Sequence, residues 1–135
     1  MAALAFGALV VAGCGSGKDY ANSPRPAAPI VITASITPAR VLVSPHSFGA
    51  GPISLVIANE TSSSHRVTLE TDQIGGSSAG LRQETAPINP RDTASLKVDV
   101  PQGSYVVRVD GGSIRAARID VGPPRPSAQD KLLQP

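Results

Sequence analysis

The side chains able to carry chemistry in this chain are few and widely separated. There is one cysteine, Cys14, and there are two histidines, His46 and His65. A lone thiol closes no intramolecular disulfide and builds no multi-cysteine metal site. The one metal-ligating set on offer is His46 and His65 with a carboxylate such as Glu60 or Glu70, because imidazole suits copper and zinc. The plainer reading makes His65 a polar loop residue or structural hydrogen-bonder and leaves His46 exposed in Pro45-His46-Ser47. Gly76-Ser77-Ser78-Ala79-Gly80 matches the spacing G-x-S-x-G, in which a strained strand-to-helix turn presents a nucleophilic serine. No helical pattern follows it, so the segment reads as a Gly/Ser loop. Asn59-Glu60-Thr61 has the form of a glycosylation sequon and is taken as coincidence. Arg108, Arg115 and Arg118 could form a positive stripe on the last hairpin, able to touch anionic headgroups or an acidic partner. With Asp110 and Asp120 across the turn, ordinary solvated strand charge is the plainer reading. The expectation is no catalytic residue, no cofactor and no metal.

The position of Cys14 gives it a meaning that its isolation does not. Residues 1–13 carry no charge, and Ala2 to Val11 form an apolar run of signal-peptide length, too short to span a bilayer. Val11-Ala12-Gly13-Cys14 resembles the lipobox of bacterial lipoproteins, where a branched apolar residue and two small ones precede an acylated cysteine. The resemblance implies a diacylglyceryl group on the Cys14 thiol, cleavage between Gly13 and Cys14, and a membrane lipid as the first partner. Each buried methylene contributes roughly 0.8 kcal/mol, so two acyl chains hold where one binds only reversibly. A leader ordinarily opens on a basic segment, whereas the first cation here is Lys18; the true start is expected further upstream.

The chain has 135 residues, which leaves roughly 90 to 100 for one folded body between a leader and a proline-rich end. Hydrophobic residues make up 41% and aromatics 3%, so the core must be built from Val, Ile, Leu and Ala. The formal charge of +2 comes from Lys and Arg interleaved with acids. Nucleic acid is excluded as a partner, because its binding needs clustered cations with stacking aromatics. The expected organisation is a signal peptide over 1–13, the lipidated cysteine and a flexible tether over 14–28, a β-sandwich over 29–122, and a mobile tail over 123–135.

The body alternates with period two. Ile30 to Ile36 reads as a first strand closed by Pro38, and Val41 and Val43 mark a second before Pro45. Ile53, Leu55 and Ile57 line a third that begins after Gly51-Pro52 and ends at Asn59. Val67 and Leu69 mark a fourth, and Leu81 to Thr85 a short fifth. Ala94, Leu96, Val98 and Val100 alternate strictly with polar residues; Tyr105, Val107 and Val109 repeat the pattern. Asp110-Gly111-Gly112 supplies a turn, and Ala117, Ile119 and Val121 form the last strand, which Gly122-Pro123-Pro124-Arg125-Pro126 stops. The fold class is all-β, an antiparallel Greek-key sandwich of seven or eight short strands, cupredoxin-like or immunoglobulin-like.

Within that class, residues 53–121 resemble a cupredoxin-like domain. A strand ending in Asn59, a polar turn, and His65 entering the next strand are similar to the segment where that family places its first copper histidine. Pro101-Gln102-Gly103-Ser104-Tyr105 looks like the family's turn into its penultimate strand. The resemblance implies a thiolate ligand near Val109, but no His, Cys or Met occurs from Val109 to Val121. A type 1 copper centre needs two imidazoles and a thiolate, so a blue-copper electron carrier is not expected. The functional expectation is a lipid-anchored, non-enzymatic interaction or structural module on the extracytoplasmic face of the membrane, with an envelope protein partner. The alternative is a metal-handling protein using His46 and His65.

Overall fold

The computed structural model describes residues 25–72 and 80–127. Cys14 with its leader, residues 76–79 of the G-x-S-x-G match, and the chain after Ser127 lie outside the described residues.

Among the described residues eight strands form, in the order β1 (Ile30–Ile36), β2 (Val41–Ser44), β3 (Ser47–Asn59), β4 (Val67–Thr71), β5 (Arg82–Glu84), β6 (Thr93–Val100), β7 (Gly103–Val109) and β8 (Ala117–Pro124). They make two layers that share β3: a first sheet β2-β1-β3-β6 and a second sheet β3-β8-β7-β4-β5. Alternation decides which side chains meet between them. Ile32, Ile36, Leu55 and Ile57 from the first sheet and Val67, Leu69, Val107 and Ile119 from the second are buried, and together they build one core. Each such side chain contributes about 1.5–3 kcal/mol on leaving water.

The all-β class and the strand count agree with the sequence, but the pairing is mixed. Five ladders are antiparallel, while β1 with β3 and β3 with β8 run parallel. A period-two pattern reports which face a residue takes and is silent on the direction of its neighbour.

Two strands also run through prolines expected to bound them, Pro52 before the third strand and Pro123-Pro124 after the last. β3 begins at Ser47, pairs with β8 through Ala50, shifts register between Gly49 and Ala50, and turns at Gly51 (φ 130°) into the first sheet. Pro52 is tolerated because its carbonyl accepts from the Arg125 guanidinium (2.6 Å), so the side on which its N–H would lie faces Arg125 and not β6. β8 does not stop at Gly122 but continues to Pro124. Its ladder with β7 has already ended at Gly103↔Val121, so the prolines leave no bond unmade there.

Candidate functional site

The strand end at Asn59 organises one end of the sandwich. Asn59 is 1% exposed, and its Oδ1 accepts from the Thr61 amide (3.0 Å) and hydroxyl (2.8 Å). Its two amide hydrogens are shared among the carbonyls of Ser63 (2.7 Å), Ile88 (2.9 Å) and Asn89 (3.2 Å). One side chain therefore fixes the turn after β3 and the segment before β6. The sequon reading falls on the same fact, since the amide nitrogen is buried and fully engaged.

His65 follows this turn and exchanges backbone bonds with Ile88. Its Nδ1 lies 3.7 Å from Asp110 Oδ1, too long for a hydrogen bond, and that oxygen accepts from the Arg66 backbone N–H at 3.0 Å. Val109, the position where the resemblance implies a thiolate, is 4% exposed and packed in the core.

His46 is not brought to His65. It is exposed in the turn after a cis Ser44–Pro45 bond, and its carbonyl accepts from the Asp120 amide, level with Ser104 on β7. His65 is level with the far end of β7, beyond Asp110. Six strand residues separate the two levels, about 20 Å along the sheet. Of the carboxylates expected beside them, Glu60 is exposed and Glu70 is paired with Arg108 and Arg82. Among the described residues no group of three or more His, Cys, Asp or Glu could hold a metal ion. The donors present do not fit a type 1 copper centre, which would need a thiolate and a second imidazole beside His65.

The arginine stripe is real, but its partners are not the expected ones. Arg108 pairs with Glu70 on β4 and Arg118 with Asp72 (2.7 Å) just past the end of β4, where Asp110 and Asp120 were expected across the turn. Arg66 and Arg82 extend the network to Glu84 (3.0 and 3.8 Å) on β5. Arg108 to Glu70 is a diagonal between β7 and β4, and Arg118 reaches from β8 past β7 to the end of β4, so sheet order sets both. Val106 lies beneath the network and is 7% exposed. A groove of about 390 Å³ opens there, with Arg108, Arg115 and Arg118 on its walls and Val106 and Ile114 among its apolar residues.

At the opposite end, Arg125 was missed because it lies in a proline-rich run with no pattern. Its Nε donates to the carbonyls of Gly49 (3.0 Å) and Ala50 (3.3 Å), and its terminal nitrogens donate to Ala28 (2.7 Å) and Pro52 (2.6 Å). The guanidinium thus ties the incoming chain, the β3 corner and the end of β8 together. Nearby, the Tyr105 hydroxyl donates to the Pro101 carbonyl at 2.8 Å, a bond of the tyrosine-corner kind. Burial pushes the Tyr105 phenol above its ordinary value of 10.0.

Two shared-strand sheets around one aliphatic core define a β-sandwich. Among solved structures, auracyanin A, a blue copper protein from the green thermophilic photosynthetic bacterium Chloroflexus aurantiacus, superposes with a TM-score of 0.54 at 13% identity, covering 70% of this chain and 100% of its own. Dithionite-reduced auracyanin from the photosynthetic bacterium Roseiflexus castenholzii gives a TM-score of 0.50 at 14% identity, covering 73% and 100%. The fold is therefore cupredoxin-like. No family model matches the chain, and no curated protein matches it.

Proposed function

We propose that this chain is an extracytoplasmic lipoprotein, acylated on Cys14, whose cupredoxin-like domain acts as a non-enzymatic binding module. The observation that supports the reading is the filling of the site itself. Where the resemblance implies a thiolate, the buried methyls of Val109 pack into the core, and the carboxylate beside His65 caps a backbone amide. Such a site supports packing and not electron transfer.

Ala28, on the path back to Cys14, is held at the Arg125 end, so the tether leaves the domain there. The test is membrane fractionation of the full chain expressed in a bacterial host. The wild type is expected in the membrane fraction with incorporated palmitate, and Cys14→Ala in the soluble fraction. A Cys14→Ala protein that stayed fully membrane-bound would overturn the anchor.

A further inference from the structure

We infer that the groove beside the β7–β8 hairpin is a docking site for an acidic peptide segment of a protein partner. The groove is walled by three arginines, while the only acid lining it among the described residues is Asp72. Arg108 and Arg118 are 54% and 77% exposed although ion-paired, so their guanidinium faces remain open to solvent. Arg115 is exposed, and it has no carboxylate partner among the described residues. Its backbone is bridged to Arg40, which fixes the loop that presents it.

The spacing favours a chain of carboxylates over a single small anion. Arg118 stands opposite Val106, and Arg108 is two residues further along β7, a step of about 7 Å. Arg115 lies beyond both in the loop. Acids spaced along an extended peptide can meet all three. Guanidinium groups accept such carboxylates in a two-point grip. A guanidinium has five N–H donors, so a ligand carboxylate can join the solvent-facing sides of Arg108 and Arg118 without displacing Glu70 and Asp72, which are only 14% and 20% exposed. Val106 and Ile114 provide an apolar patch for an intervening side chain.

This inference deepens the reading of the domain as a binding module. The test is fluorescence anisotropy of a labelled, alternating Glu-Leu peptide titrated with the full chain. Binding that weakens with salt is expected. Arg115→Gln is expected to weaken it about tenfold, and Arg115→Gln with Arg118→Gln to abolish it. Arg91→Gln removes the same charge outside the groove and should leave binding unchanged. Three results would overturn the proposal: no binding to the wild type, equal weakening by Arg91→Gln and Arg115→Gln, or binding only to inorganic phosphate or phosphatidylglycerol vesicles. The assay does not depend on acylation, so failure of the anchor would leave its result unchanged.

Discussion

Asn59 and Arg125 each gather backbone carbonyls from segments far apart in sequence, one at each end of the sandwich, but they do so in different surroundings. Asn59 is sealed from water and meets its partners through both donor and acceptor atoms. Arg125 is half-buried, and its carbonyl partners range from exposed Ala28 through half-buried Gly49 and Pro52 to buried Ala50. The difference teaches that a polar side chain with many bonds need not mark a ligand site. Here both are consumed by the fold, and the groups left free to bind, above all Arg115, sit on the outer face between them. It also predicts unequal consequences when each is removed.

The largest effect is expected for Asn59→Ala, which strands buried carbonyls and the Thr61 amide and should lower unfolding stability by about 3 kcal/mol. Asn59→Asp should be at least as damaging, because a carboxylate cannot donate to Ser63 or Ile88. Urea denaturation measures both, and a loss under 1 kcal/mol would break the comparison. Arg125→Ala should cost less, about 1–2 kcal/mol, since water replaces the lost donors. A Cβ on Gly49 would stand 2.6 Å from Arg125 Cγ, so Gly49→Ala should destabilise the wild type more than it destabilises the Arg125→Ala protein. Strict additivity would mean that the clasp does not couple these residues.

Smaller changes sharpen each end. Tyr105→Phe removes the bond to Pro101 and should cost about 1 kcal/mol. The folded state holds the phenol proton more tightly than the unfolded chain does. Its contribution is therefore complete below about pH 10 and is lost as pH rises through the raised folded-state value. The fall in stability above that pH should flatten in Tyr105→Phe. Arg91 has φ 62° at the third position of a turn closed by the Asp92 amide to the Asn89 carbonyl, and its own amide donates to Asn59. Such a position favours glycine, so Arg91→Gly should stabilise the Asn59 end by about 0.5 kcal/mol. A destabilised Arg91→Gly protein would mean that its side chain makes contacts that matter.

The two ends were unequally legible in the sequence. Alternation located β1, β2, β4, β6 and β7 closely, and it placed Asn59 at a strand end before a polar turn. Nothing local marked Arg125. Its partners come from segments about 75 and 97 positions away, and the prolines around it read as a strand stop. The same limit explains the arginine pairs: which acids lie beside Arg108 and Arg118 depends on β4 standing next to β7, and periodicity does not encode sheet order. His46 and His65 looked like a pair only because a sequence has no distance in it.

The central claim is that this cupredoxin-like domain binds without metal. Native mass spectrometry of the full chain exposed to one equivalent of Cu(II), for the wild type and His65→Gln, tests it most directly. The account predicts no copper adduct that depends on His65 and no strong thiolate-to-copper absorption. A one-to-one copper complex in the wild type that disappears in His65→Gln would contradict it.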